Sequence, residues 1–233
     1  MKFVVYEEVF RALPDYCVGV VVAEEIDNTK SNETIKVLYE NQMQKTMEIL
    51  QNVNLKESPA LLPYRQAMQA VGINPNKYPS SIEAMLKRVQ KGHLLPSINP
   101  AVDLSNLVSM KYLLPMGSHD MDALTGNIAV RFSRESDVFL PLGESEEESV
   151  EAGDLVYCDE MRIRTRRWIW RQSDVGKITE DTRRIFFPID GFANSNKEAV
   201  LAAAEELEAL LKTHFHCETK RGFVDREHPE SIL

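Results

Sequence analysis

Cysteine is scarce in this chain, with three among 233 residues, at Cys17, Cys158 and Cys217. No two form a CxxC pair and no His/Cys cluster has zinc-ligand spacing, so neither a disulfide framework nor a structural zinc site has support. Reduced, mostly buried thiols are expected, as in a cytosolic protein. Long apolar runs are also missing. The longest, Val18–Ala23, contains a glycine and falls far short of the roughly 20 residues that span a bilayer. The opening MKFVVYEEVF meets an acidic pair before any long apolar stretch, so it does not read as a signal peptide. A soluble, cytoplasmic protein with no membrane partner is the expectation. Walker-type, GxGxxG and GxSxG patterns are absent, which removes the phosphate-cradling loop and the nucleophile elbow. No cofactor is expected. There is no internal repeat, low-complexity tract or Pro/Gly/Ser linker, so residues 1–233 are expected to share one core. A chain of this size can build that core without staples.

Positive charge is in the minority, with 27 Lys and Arg against 36 Asp and Glu and a net charge of -9. That argues against sequence-blind nucleic-acid binding over a broad basic surface, though not against one local basic site. Against this background stands RIRTRRWIWRQSD, Arg162–Asp174, which holds five arginines and both tryptophans of the chain.

The first half reads as mainly helical. Phe3–Tyr6 and Cys17–Ala23 are short Val-rich strands with a Pro14-Asp15 break between them. From Ser31, the residues Ile35, Leu38, Tyr39, Met43, Thr46, Ile49 and Leu50 follow helical spacing. Pro63 opens a second helix that ends near Gly72. Ser80 with Glu83 forms a capping box ahead of Ile82, Met85, Leu86 and Val89. Asp103 is a candidate N-cap for a short helix with Leu104, Leu107 and Val108. The second half reads as strands at Ile128–Phe132, Val138–Leu140, Leu155–Cys158, Arg162–Arg171 and Arg184–Pro188. The acidic run Glu144–Glu151 reads as a solvated loop. Ser195 and Glu198 cap a last helix carrying Val200, Ala203, Leu207, Leu210 and Leu211, and the tail beyond Cys217 reads as loose.

Taken as one strand, Arg162–Arg171 alternates faces. Ile163 and Ile169 mark one face as core-directed, which sends Arg167 and Arg171 inward on the same side. A bare buried charge is costly, so these two need a carboxylate partner, with Asp159, Asp174 and Asp120 as candidates, or an anionic ligand. Arginine's fork suits carboxylate or phosphate. Trp168 or Trp170 either stacks on a ligand ring or belongs to the core. In VDLSNLVSMKYLLPMGSHDMDAL, Val102–Leu124, the residues Asn106, His119, Asp120 and Asp122 crowd near a Pro-Met-Gly turn. His119 is either a general base oriented by Asp120 or a loop hydrogen-bonder. His119 and Asn106 are expected to border one cavity. His214 and His216 fit a helix C-terminus better than a metal site.

The stretch from Arg65 through "GINPNKYPSSIEAML" and "NPAVDLSNLVSMKYLLPMGSHDMDALTGNIAVR", with "GDLVYCDE" and "RRWIWRQSD…ITEDT", resembles the B3/B4 domain of the phenylalanyl-tRNA synthetase β subunit. It resembles still more the free-standing B3/4 proteins. The resemblance covers roughly Arg65 to Gly191. It implies an α/β (α+β) fold, a three-layer ββα sandwich with a pocket between sheet and helices. In the synthetase, that domain hydrolyses tRNA mischarged with tyrosine. Gly117 stands where the synthetase pattern carries a histidine, His119 at its phenylalanine position, and Lys177 where a glutamate binds the tyrosine hydroxyl. These departures argue against tyrosine as the substrate and follow the free-standing branch.

The resemblance implies a tRNA or aminoacyl-tRNA partner and a trans-editing hydrolase that deacylates a mischarged tRNA. Asn106, His119 and Thr182 are the candidate catalytic groups. Asp120, Arg167, Trp168, Arg171 and Asp174 are the candidate substrate contacts. No assured general base is visible, which fits substrate-assisted hydrolysis or none. The alternative is a non-catalytic module that binds tRNA or a free amino acid. A small-molecule enzyme on a borrowed pocket is a third reading, because fold does not fix function.

Overall fold

The computed structural model describes residues 1–29 and 32–233. The elements run β1 (Lys2–Val5), α1 (Glu7–Ala12), β2 (Tyr16–Glu24), α2 (Glu33–Ile49), α3 (Leu62–Ala70), α4 (Ser81–Gln90) and α5 (Pro100–Tyr112). There follow β3 (His119–Asp120), β4 (Ile128–Phe132), β5 (Val138–Phe139), β6 (Glu148–Ser149), β7 (Leu155–Cys158) and β8 (Ile163–Arg166). The chain closes with β9 (Arg171–Gln172), β10 (Ile185–Phe192), α6 (Lys197–Phe215), β11 (Glu218–Val224) and β12 (Glu230–Ile232).

Two sheets face each other. One has six strands in the order β12-β1-β4-β7-β8-β9, and the other has four in the order β11-β2-β10-β3. Aromatic side chains bridge them: the Phe3 ring of β1 lies 5.1 Å from the Phe186 ring of β10. Helix α6 covers the far face of the four-stranded sheet, against β2 and β10, and α5 and α2 pack outside it. The result is the expected three-layer ββα sandwich. Close approach of α6 depends on glycine. A Cβ at Gly191 would come within 2.3 Å of Val200 Cγ2, and one at Gly19 within 2.8 Å of Val200 Cγ1. Val200 lies on the fully buried stripe of α6 with Ala203, Leu207 and Leu211, the spacing of a one-sided amphipathic helix.

Local chemistry explains most boundaries. Asn32 caps α2 by accepting from Ile35 N; the sequence places that start at Ser31, which lies outside the described residues. Ser80 caps α4 through Glu83 N as expected. Helix α5 begins three residues before Asp103, because Asn99 caps it and Pro100 occupies its first turn. Asp103 instead accepts from Ser97 Oγ and Ile98 N. Likewise α6 starts after Asn196, whose side chain bonds Phe192 N and Tyr64 Oη rather than capping the helix. The tail is not loose. Its strand β11 pairs with β2 and β12 pairs with β1. Short α1 goes unread in the sequence because its six residues offer too few turns for a pattern. All three cysteines are buried and free. Among the described residues, no helix is long and apolar enough to cross a membrane.

Candidate functional site

The arginine segment is a hairpin rather than one strand. Strand β8 ends at Arg166 and β9 returns antiparallel to it, pairing Arg166 with Arg171 and Thr165 with Gln172. The turn is made by Arg167 and Trp168, with φ of 51° and 60°. Left-handed backbone costs an ordinary L-residue roughly 1–2 kcal/mol, and two in succession need a strong reason. That reason is Trp168. The turn drives its indole fully into the core, where Nε1 donates to Asp190 Oδ1 at 2.9 Å.

The turn overturns the reading that sends Arg167 and Arg171 inward together. Arg167 folds back so that its guanidinium lies 3.9 Å from the Tyr78 ring centre and 5.3 Å from that of Trp170. Arg171 stays partly exposed, 3.9 Å from Glu144. The buried arginine is Arg164. It pairs with Asp159, and it also donates to Val175 O at 3.0 Å and Ala123 O at 2.7 Å. Burial raises the Asp159 pKa, but hydrogen bonds from Thr125 N and Arg164 outweigh it and hold the carboxyl below its usual range.

Carboxylates meet the remaining arginines. Arg162 pairs with Glu147 at 2.9 Å, Arg166 with Glu148 at 2.8 Å, and Asp154 lies 3.6 and 3.8 Å from Arg166 and Arg167. Glu144, Glu147 and Glu148 belong to the acidic run. Its glutamates are exposed, but it is not merely a loop: Val150 within it is buried and β6 pairs with β5. The concentration of arginine in an acidic chain is therefore answered largely within the chain.

Behind the hairpin, between the two sheets, lies a cavity of about 130 Å³. Its apolar wall is Trp168, Trp170, Ile169, Met116, Pro115 and Pro188; its polar lining is His119, Asp190, Gln172, Thr165 and Ser81. His119 is placed by β3, which pairs with β10 through Phe186. Its ring stacks 5.8 Å from Tyr157 and 5.9 Å from Phe186. Burial and the nearby Arg164 charge push its pKa down to about 3, so the ring is neutral near pH 7. A Cβ on Gly117 would sit 3.3 Å from His119 Nε2 and 3.2 Å from Pro188 Cγ. Glycine there keeps the histidine edge open.

Asp190 is the charged centre. Its Oδ1 accepts from Tyr16 Oη at 2.5 Å, Tyr157 Oη at 2.8 Å and Trp168 Nε1. Burial raises its pKa to about 6 against the pull of those three donors. The same burial, with the neighbouring carboxylate, keeps Tyr16 and Tyr157 far above the ordinary phenol range.

The other expected site residues lie elsewhere. Asn106 stands on α5 near Tyr39 and does not line the cavity, so it does not share one with His119. Thr182 Oγ1 donates to Asp120 Oδ2 at 2.7 Å, a loop-to-strand bond outside the cavity lining. Because adjacent residues on a strand point apart, Asp120 does not orient His119. Asp174 accepts from Lys177 Nζ at 2.9 Å and Gly143 N at 3.0 Å. Of the candidates, His119 and Trp168 meet in the cavity. Asp190, Tyr16 and Tyr157 go unread in the sequence, although an aspartate inside IFFPIDGF is a signal of a buried carboxylate.

A match to the B3/4 domain covers residues 63–230. The phenylalanine–tRNA ligase beta subunit of Fusobacterium nucleatum subsp. nucleatum is 28% identical over 149 residues, 64% of this chain and 15% of that protein. The same subunit of Mycoplasma genitalium is 28% identical over 133 residues, 57% of this chain and 15% of that protein. The chain thus spans about 15% of the length of these curated relatives. An N-terminal fragment of the phenylalanyl-tRNA synthetase beta subunit from Pyrococcus horikoshii superimposes with a TM-score of 0.47 at 12% identity, over 93% of this chain and 50% of that one. The extent of the domain match places this chain in the B3/4 domain family.

Proposed function

We propose that the cavity receives the aminoacyl end of a charged tRNA and that the protein deacylates it in trans. The observation that carries this reading is that His119 and Asp190 both line one small, mostly apolar cavity. At about 130 Å³ it lies below the roughly 300–1,000 Å³ of drug-sized pockets and suits a group of amino-acid size. Neutral His119 offers a ring nitrogen to a water molecule without carrying charge. Hydrolysis joins the water oxygen to the ester carbonyl carbon and breaks the bond to the ribose oxygen, which takes a proton. With a pKa near 3, His119 positions that water better than it deprotonates it, so the water's proton passes to the departing ribose oxygen, with the substrate's vicinal hydroxyl as the relay. The same weak basicity favours the second reading, a module that binds the aminoacyl end without cleaving it. A hydrolysis screen over tRNAs charged with each of the twenty amino acids separates the two. Turnover of at least one, lost in His119→Ala, supports deacylation; no turnover of any supports the binding module.

A further inference from the structure

Asp190 is 2% exposed, yet among the described residues no Lys or Arg pairs with it. All three of its donors converge on Oδ1 and all three are neutral: two phenols and an indole. Among the described residues none donates a hydrogen bond to Oδ2, although Asp190 lines the cavity. An ionised carboxylate without a counter-charge is among the most costly groups to bury. The cation that acts on His119 is already committed: Arg164 is held by Asp159, Ala123 and Val175. His119, the one other titratable group with a nitrogen on the cavity, is neutral. What surrounds the free oxygen is apolar wall and neutral dipoles, which complement a compact cation with an apolar body.

We propose that Asp190 Oδ2 is the receptor for a primary ammonium group, so that the cavity selects ligands with a free α-amino group beside an apolar side chain. This deepens the reading of the cavity as an aminoacyl site and rests on it. A charge-assisted hydrogen bond to a desolvated carboxylate is roughly twice as strong as a neutral one. Ligands whose nitrogen is acylated or absent leave Asp190 uncompensated and are rejected on that ground.

Both tryptophans of the chain line the cavity, so intrinsic fluorescence reports its occupancy. The probes are the methyl esters of alanine, valine and phenylalanine, each beside its des-amino counterpart: methyl propanoate, methyl 3-methylbutanoate and methyl 3-phenylpropanoate. At least one amino ester is expected to bind ten-fold or more tightly than its counterpart at pH 7. Asp190→Asn, close in shape, is expected to erase that preference. The wild-type comparison needs no variant, so a misfolded Asp190→Asn does not rescue the idea. Equal binding of both members of every pair, or no fluorescence response to any amino ester, overturns it. Deacylation is scored separately on aminoacyl-tRNA and N-acetyl-aminoacyl-tRNA. If both are cleaved equally, the ammonium receptor falls and the editing reading stands. If amino esters bind selectively but no charged tRNA is cleaved, the receptor stands and the editing reading falls.

Discussion

Trp168 reaches Asp190 across the sheet interface, its Nε1 2.9 Å from Oδ1, and that bond joins the arginine hairpin to the charged centre of the cavity. The left-handed pair at Arg167 and Trp168 is held in place by it. Trp168→Phe keeps most of the apolar volume and removes the donor. It is expected to destabilise the fold by about 1.5–3 kcal/mol, the worth of a hydrogen bond to a charged acceptor, with Tyr16 and Tyr157 still donating to Asp190. Urea unfolding followed by circular dichroism measures this, and a change below about 0.5 kcal/mol would contradict the role given to the indole.

The two titratable groups of the cavity act on stability in opposite directions. Folding raises the Asp190 pKa to about 6, so between pH 4 and 6 the folded state holds its proton more tightly than the unfolded chain. The Asp190 contribution therefore falls as pH rises through that window. His119 is lowered to about 3, so its contribution rises with pH between about 3 and 6.5. Around Asp190 stand Tyr16 on β2, Tyr157 on β7, Trp168, Tyr64 and Cys17, and burial keeps the phenols and the thiol uncharged at these pH values. Removing the carboxylate exposes the histidine effect. The stability of Asp190→Asn relative to wild type should increase from pH 4 to pH 7, by at most about 3 kcal/mol. A relative stability that is flat or decreasing over that range would show that Asp190 is not a strained carboxylate.

The fold was largely legible because its signals are local. Capping at Ser80, the helical stripe from Ile35 to Leu50 and the Val-rich β2 each follow from neighbours within one or two turns. The site was legible only in part, since its groups come from β3, β7, β10 and the hairpin. The hairpin itself lacks the glycine or asparagine that ordinarily marks a left-handed turn. Alternation therefore ran straight through Arg167 and sent the wrong arginines inward. What sets that turn is a long-range bond from Trp168 to Asp190, 22 residues away. Asn106 and Thr182 were grouped with His119 by sequence order, and neither helix α5 nor the loop before β10 turns them toward it.

Arg164 and Arg166 lie two residues apart in β8 but differ in environment. The Arg164–Asp159 pair is buried, whereas Glu148 opposite Arg166 is half exposed. Asp159→Ala leaves a buried guanidinium without a counter-charge and is expected to cost about 3–5 kcal/mol. Glu148→Ala is expected to cost less than about 1 kcal/mol. Thermal and urea unfolding of the two variants check the ranking, and comparable losses would contradict it.

Because carboxylates meet the hairpin arginines, association with tRNA should be local and weakly salt-dependent. Neutralising about two to four phosphates predicts a slope of about 2 to 4 in log affinity against log salt. Replacing Glu147 and Glu148 by glutamine frees Arg162 and leaves Arg166 with Asp154 alone, and should steepen that slope by about 1 to 2. Titration of labelled tRNA across salt concentrations reads both values. A wild-type slope near 8 would reveal an extended basic surface instead.

The most direct test of the cavity as an aminoacyl site is a crystal structure with a ligand that cannot be hydrolysed: adenosine carrying an amide-linked alanyl, valyl or phenylalanyl group on its 3′ position. The predicted result is an aminoacyl group enclosed by Trp168 and Ile169, its ammonium on Asp190 Oδ2 and its carbonyl beside His119. A ligand bound outside this cavity, or a cavity left unchanged by all three at saturating concentration, would contradict it.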